Sequence, residues 1–273
     1  MCYQMIIEDI QLLLKEHESK AIVFKIWYIK EYLQTIILKE IYEIPECKDL
    51  IFYWWTSLRF IFELNRLSED LDFIWRWFSD FEIVAKHLQQ IFWQYGVEIT
   101  YKVQKFRIIF NFKQLLDHFG LLYGNSKDLY IKIEISDDPT FCSHFDTKIY
   151  PVFRYNKSLV LKSMDISTLF ASKLNAVLYR KREKQHGKDL VHVKWRDIYD
   201  LFRYLQKNII PNIDCVKDVK DMKELKQKLR DVLEYIDFAE VILDLRNFLD
   251  DTMMLDFIKE HGKGYVMEKM EGR

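Results

Sequence analysis

The chain has 273 residues, 49% hydrophobic and 30% charged, with a formal net charge of -1 at pH 7. That length can bury one large core or two modest ones, and the composition is that of an ordinary globular protein. A charge near zero excludes a global field for nucleic acid or membrane, so any nucleic-acid contact needs a local basic surface.

Cys2, Cys47, Cys142 and Cys215 are far apart and form no CxxC pair. The sequence therefore predicts neither a zinc site nor a disulfide framework, and fits a reducing cytoplasm. The N-terminus meets Glu8 and Asp9 too early for a secretory h-region. The apolar stretch from Ile22 to Ile41 is broken by Lys25, Lys30, Glu31, Lys39 and Glu40, whereas a membrane span needs roughly 20 mostly apolar residues. A cytoplasmic protein with no membrane partner is expected. One count stands out: there are 7 Gly and 7 Trp, while Gly averages about 7% of residues and Trp is far rarer.

From Met5 to Ile44 apolar positions recur every three or four residues, predicting two amphipathic helices with a break near 18–22. Leu50–Tyr53 reads as a buried strand, Ser57–Leu64 as helical, Leu71–Ile74 as a strand, and Phe81–Tyr95 as a helix ended by Gly96. Val97–Gln104, Phe106–Phe112 and Leu129–Ser136 have strand character, and in the last Tyr130, Lys132 and Glu134 alternate with Ile131, Ile133 and Ile135. Lys148–Phe153 and Leu159–Lys162 are short strand candidates. Beyond Asp165 the pattern stays helical: Ser167–Arg182, Trp195–Lys207, Met222–Ile236, Glu240–Phe248 and a last turn or two over Met253–Glu260. The expected division is 1–163 as a mixed-sheet core with N-terminal helices and 164–273 as a helical domain, an α+β protein.

Asp70 and Asp72 flank one residue of a predicted strand, so both carboxylates point to one face. Two such charges repel unless a cation lies between them. Hard oxygen ligands held this way suit Mg²⁺, and Glu134, on another predicted strand, is the natural third ligand for a two-metal phosphoryl site. Taken alone, Asp-Leu-Asp also fits an acidic strand end facing solvent. The run Arg180–Lys188 is basic and reads as a loop, solvated or in contact with RNA phosphates. His186 and His192 have no metal-ligand spacing, and no GxxxxGK[ST] phosphate loop is present.

Three segments carry a specific resemblance. Thr56-Ser-Leu-Arg59 followed by Asn65-Arg-Leu-Ser-Glu-Asp-Leu-Asp-Phe73, then Ala171-Ser-Lys-Leu-Asn-Ala-Val-Leu-Tyr-Arg180, then Lys194-Trp-Arg-Asp-Ile-Tyr-Asp-Leu201, resemble the AbiEii/AbiGii nucleotidyltransferase toxin family. The resemblance implies a polymerase-β-like nucleotidyltransferase core followed by a helical bundle. It implies transfer of a nucleotide from an NTP to an RNA acceptor, tRNA above all, by the toxin of a bacterial toxin–antitoxin or phage-defence system with a cognate antitoxin. By the same resemblance Asp70 and Asp72 bind metal, two Mg²⁺ in all. Positions 54 and 55, Thr56, Ser57, Arg59 and Ser68 line the nucleotide's phosphate side, Lys173 meets the triphosphate, and Asp197 is the active-site acid of the last segment.

The sequence departs from the family where glycines are expected. Trp54 and Trp55 stand at a Gly-Gly or Gly-Ser pair, and Trp195 at a glycine before Arg196-Asp197. Trp75 and Trp77 lie in a predicted loop; Trp27 lies near the predicted helix break and Trp93 is less diagnostic. Glycine at 54–55 would let the chain turn sharply and bring phosphates to its N–H groups, whereas two indoles fill that space. UGA codons read as glycine in the source cell, but translated as tryptophan, would give this pattern and the Gly/Trp imbalance. Genuine tryptophans would instead make the chain a catalytically inactive binding protein on the same fold.

Overall fold

The computed structural model describes residues 5–271, apart from 65, 76–79, 123, 125, 137–141, 143, 180–181, 186–187, 192–193 and 250. Trp77, His186 and His192 lie outside the described residues. The chain forms two units. The first comprises Met1–Glu63, Leu67–Asp138 and Lys148–Ser163; the second comprises Leu64–Arg66, Pro139–Thr147 and Met164–Arg273.

In the first unit, α1 (Met5–Glu16) and α2 (Ile22–Glu43) are the helices that the apolar spacing predicts. They are followed by β1 (Ile51–Tyr53), α3 (Trp54–Phe62), β2 (Asp70–Ile74) and α4 (Phe81–Gln94). Just past α4, Gly96 adopts φ 75°, a left-handed turn that favours a residue without Cβ. Then come β3 (Ile99–Gln104), β4 (Arg107–Phe112), the one-turn α5 (Leu115–His118), β5 (Leu129–Ser136), β6 (Thr147–Arg154) and β7 (Lys157–Met164). The seven strands make a mixed sheet in the order β3-β4-β5-β2-β1-β7-β6. Strands β2 and β5 run parallel, as do β1 and β7, while β1–β2, β3–β4 and β4–β5 are antiparallel.

Side chains alternate across a strand, and this sheet uses the alternation to separate core from chemistry. Leu71, Phe73, Ile108, Phe110, Ile131 and Ile133 form one buried cluster with Ile10 of α1, Leu33 and Ile37 of α2, and Leu88 and Phe92 of α4. Their neighbours in sequence, Asp70, Asp72, Lys132 and Glu134, consequently fall on the opposite face.

In the second unit, α6 (Ile166–Tyr179) starts at Asp165, whose carboxylate accepts the backbone N–H groups of Ser167 at 3.0 Å and Thr168 at 3.1 Å. Burial tends to raise the Asp165 pKa, but the hydroxyls and N–H groups of Ser167 and Thr168 outweigh it and hold the carboxyl below its usual range. A two-stranded hairpin follows, β8 (Arg182–Gln185) with β9 (Lys188–Val191), then α7 (Trp195–Gln206), α8 (Met222–Leu233), α9 (Phe238–Leu245) and α10 (Thr252–Glu271). Among the described residues no helix is long and apolar enough to cross a membrane.

Several expectations change. Helix α3 begins at Trp54, three residues before the expected start, and β6 and β7 are each eight residues long rather than short. The described part of the basic run after Tyr179 is strand, not loop. Trp27 lies near the helix break as expected, in the second turn of α2, and is buried. Helix α10 runs to Glu271 rather than stopping near Glu260. Gly262 and Gly264 look like helix-stop signals, but a Cβ at Gly262 would sit 2.7 Å from the Phe238 ring. That glycine is the space that lets α9 and α10 pack.

The cysteine expectation is also corrected: Cys142 and Cys215, 73 residues apart, are joined as a disulfide, so cysteine usage does not argue for a reducing compartment. Closing a loop of that length in the unfolded chain is worth about 4 kcal/mol in the chain-entropy account. Cys47 is a buried free thiol, and burial first, with Glu46 and Asp80 adding, pushes its pKa up to about 12.

Candidate active site

The register of four strands builds the polar face of the first unit. Tyr53 of β1 stands opposite Asp72 of β2, Asp72 beside Glu134 of β5, and Glu134 opposite Arg107 of β4. One step along the strands, Asp70 stands beside Lys132. Lys132 Nζ lies 2.9 Å from Asp70 Oδ2 and 3.2 Å from Glu134 Oε1, and Arg107 Nε lies 3.6 Å from Glu134 Oε1. Burial opposes the charge on Lys132, but Asp70 and Glu134 outweigh it and raise its pKa. Asp72 is only 6% exposed. Burial, then the negative charges of Asp72 and Glu134, push the Tyr53 phenol above its ordinary range.

The structure thus brings Asp70, Asp72 and Glu134 to one face of adjacent strands, a set of hard oxygen donors that suits a divalent cation. An ammonium already bridges two of the three, so that face accommodates a cation between its carboxylates. As they stand, no three His, Cys, Asp or Glu side chains among the described residues are arranged to hold a metal.

Two anchors fix the approach to this face. Gln34 of α2, buried, donates from Nε2 to the carbonyls of Ser68 at 3.2 Å and Glu69 at 3.0 Å. Thr56 of α3 shares a 2.7 Å hydrogen bond with the Ser68 hydroxyl and donates to the Asp70 carbonyl. Ser57 donates to the Trp54 carbonyl at 2.6 Å. Thr56, Ser57 and Ser68 are buried; the Thr56 and Ser68 hydroxyls tie the start of α3 to β2, while that of Ser57 closes the first turn of α3 itself. Lys30 of α2 is a further neighbour that the sequence did not single out. Burial lowers its pKa against the pull of Glu69 and Asp70, and Lys132 adds to the lowering.

The turn from β1 into α3 carries the tryptophan pair. Trp54 has φ 60°, in the left-handed region where a non-glycine residue costs about 1–3 kcal/mol. Its ring stacks on Tyr53 with centroids 5.3 Å apart and meets Trp55 at 6.2 Å. No other described tryptophan has a positive φ. Trp195 instead opens α7 with its ring 4.5 Å from Phe248, and Trp75 packs partly buried against the core.

Arg59, expected on the phosphate side, has its guanidinium on Glu31 of α2. Nε donates to Glu31 Oε2 at 2.7 Å and Nη2 to Oε1 at 3.4 Å. Arg154 also donates to Glu31 Oε1, and its Nη2 reaches the Arg59 carbonyl at 2.9 Å. Tyr155 adds a hydroxyl at 3.2 Å. This knot fastens α3 to α2 and to the β6–β7 hairpin.

In the second unit Lys173 of α6 and Asp197 of α7 are both buried, at 1% and 0% exposure. Here the structure supplies two partners that no local spacing could reveal. Arg66 grips Asp200 in a fork, Nε to Oδ1 at 2.9 Å and Nη2 to Oδ2 at 3.2 Å, across 134 residues of sequence. Lys173 Nζ lies 3.7 Å from the same Oδ2. One buried carboxylate faces two buried cations, so Asp200→Asn is expected to destabilise the protein by about 3–5 kcal/mol. Urea unfolding followed by circular dichroism checks this, and an unchanged midpoint would show that the cluster is not held by Asp200.

The chain matches the family described as Nucleotidyl transferase AbiEii toxin, Type IV TA system, over residues 37–261. No curated protein matches. Two solved structures from Helicobacter pylori are similar in fold. JHP933 is 18% identical with a TM-score of 0.48, covering 89% of this chain and 92% of that one. A second protein, described as a candidate nucleotidyltransferase, is 16% identical with a TM-score of 0.46, covering 89% and 95%. With motif segments from Thr56 to Leu201 inside the matched span, this chain belongs to the AbiEii nucleotidyltransferase toxin family of type IV toxin–antitoxin systems, whose members are enzymes that use an NTP and are paired with an antitoxin.

Proposed function

We propose that this nucleotidyltransferase is metal-dependent and transfers a nucleotide to a hydroxyl of RNA, with the 3′ end of a tRNA as the preferred acceptor, in the cytoplasm of a bacterial host and as part of phage defence. The observation that carries the chemistry is the register that sets Asp70, Asp72 and Glu134 on one face of β2 and β5. Those three side chains are the proposed metal ligands, for two Mg²⁺ ions. Bound there, Mg²⁺ supplies charge neutralisation at the phosphate and activation of the attacking oxygen. The acceptor hydroxyl oxygen bonds to the α-phosphorus and releases its proton to solvent, the bond from the α-phosphorus to the oxygen bridging it to the β-phosphate breaks, and pyrophosphate leaves with that oxygen. RNA and tRNA as acceptor rest on family kinship alone.

The remaining residues position the nucleotide. The backbone N–H groups at the start of α3 favour negative charge; Thr56 and Ser68 hold that turn against β2, and Ser57 braces it from within through the Trp54 carbonyl. Arg59 keeps α3 in place through Glu31. Lys173 is proposed for the triphosphate and Asp197 as the acid of the last segment. The working protein is proposed to carry glycine at 54, which the φ of 60° supports, and by the same coding argument at 55 and 195.

The test is transfer of label from each α-³²P ribonucleoside triphosphate to total tRNA. Label is expected to move with Mg²⁺ present and to stop with EDTA, returning when the metal is restored. Transfer that continues unchanged in EDTA would remove the metal from the mechanism, and label on protein rather than RNA would replace the acceptor.

A further inference from the structure

This inference rests on the reading of the carboxylate face as a metal site. Lys132 stands beside Asp70 in the parallel register of β2 and β5, with Glu134 two residues further along its own strand. Its Nζ is 2.9 Å from Asp70 Oδ2 and 3.2 Å from Glu134 Oε1. A single positive charge therefore lies between two of the three carboxylates, in the space a divalent ion must take to bind both. Mg²⁺ needs oxygens at about 2.0–2.1 Å, and an ammonium cannot stay between the same oxygens without strong like-charge repulsion. Lys30 adds a second positive charge, close enough to Asp70 and Lys132 to act on both. Arg107 Nε, 3.6 Å from the same Glu134 Oε1, adds a further positive charge to that carboxylate.

We propose that Lys132 is an internal counter-ion of the metal site: it bridges Asp70 and Glu134 when no metal is bound and has to leave that bridge for the metal to enter. The lysine thereby offsets the repulsion between Asp70 and Glu134 and lowers the affinity for metal alone. Lys132 and Glu134 are about one-third exposed (29% and 34%). The bridge is therefore on the scale of partly screened ion pairs and can be displaced. Residues 132 and 70 being neighbours in one sheet, the displacement needs only rotamer changes along the lysine side chain, with no backbone movement.

The experiment is Mn²⁺ titration of the full chain, read by electron paramagnetic resonance without nucleotide, so that it does not depend on turnover. Lys132→Met is expected to tighten Mn²⁺ binding by roughly three- to tenfold, the scale of one or two partly exposed ion pairs. Lys132→Arg, which keeps the charge, is expected to stay near the wild-type value, and Asp70→Asn to lose the site. If Asp70→Asn loses the site but Lys132→Met binds no tighter than wild type, the counter-ion role is overturned while the metal site stands. If wild type binds no Mn²⁺, or Asp70→Asn binds as well as wild type, the metal reading itself falls and this inference with it. Thermal unfolding of each variant separates these outcomes from misfolding; should Lys132→Met unfold, Lys132→Gln carries the same prediction.

Discussion

Replacing Trp54 and Trp55 together by glycine is expected to increase NTP affinity by on the order of 100-fold or more. Two effects follow, the first on stability and the second on affinity. Trp54 sits at φ 60°, and glycine occupies that conformation without the steric cost of a Cβ, a relief of about 1–3 kcal/mol. The larger effect is access. The Trp54 indole stacks on Tyr53 and meets the Trp55 indole at the first turn of α3, where N–H groups are left without intrahelical acceptors. Each hydrogen bond from such a group to a phosphate oxygen is worth about 1.5–3 kcal/mol, so regaining two yields at least that increase. Isothermal titration with each NTP in Mg²⁺ measures it. Equal affinities for the double variant and the tryptophan form would sink the argument. The matching observation is the mass of the native peptide spanning 54 and 55 from the source cell: a glycine mass makes the double variant the natural protein, and a tryptophan mass makes it a gain of function.

Asp70→Ala is expected to lower nucleotidyl transfer by roughly a thousandfold, the scale of removing one charge-stabilising group from a phosphoryl-transfer site. It is also expected to relieve any growth inhibition caused by expression. The fold should persist, because the Asp70 carboxylate is one-third exposed and its contact is the Lys132 ammonium. What β2 buries is Leu71 and Phe73 on the other face. Circular dichroism should match wild type while label transfer disappears. A variant that stays fully active or toxic would take Asp70 out of the site. Lys173 differs in kind. It is buried beside Asp200 and Arg66, so its substitution is expected to change both NTP use and stability, and kinetics alone would not separate the two.

Much of the fold was legible because it rests on local periods. Helices α1, α2 and α4 and strands β3, β4 and β5 follow the three-to-four and two-residue spacing of apolar side chains, which survives in the sequence whatever the tertiary partners are. The same alternation placed Asp70 and Asp72 on one face, and β5 placed Lys132 and Glu134 together. The motif segments named the family because their residue types are held at short range.

What the sequence could not supply is whatever joins distant residues. That β2 and β5 run side by side, so that Asp72 meets Glu134 and Lys132 bridges Asp70 to Glu134, is a fact of strand order. So are the grip of Arg66 on Asp200 and the Cys142–Cys215 bond, each closed over a long stretch of chain with no local signature. The local pattern fades near Glu260, yet α10 continues to Glu271, and Gly262, with a propensity cost of about 1 kcal/mol, leaves the space beside Phe238. The sequence by itself determined which side chains share a face and which family the chain belongs to. Only the tertiary structure decided which faces meet and that an ammonium lies between two of the carboxylates, since burial and charge pairing depend on neighbours far away along the chain.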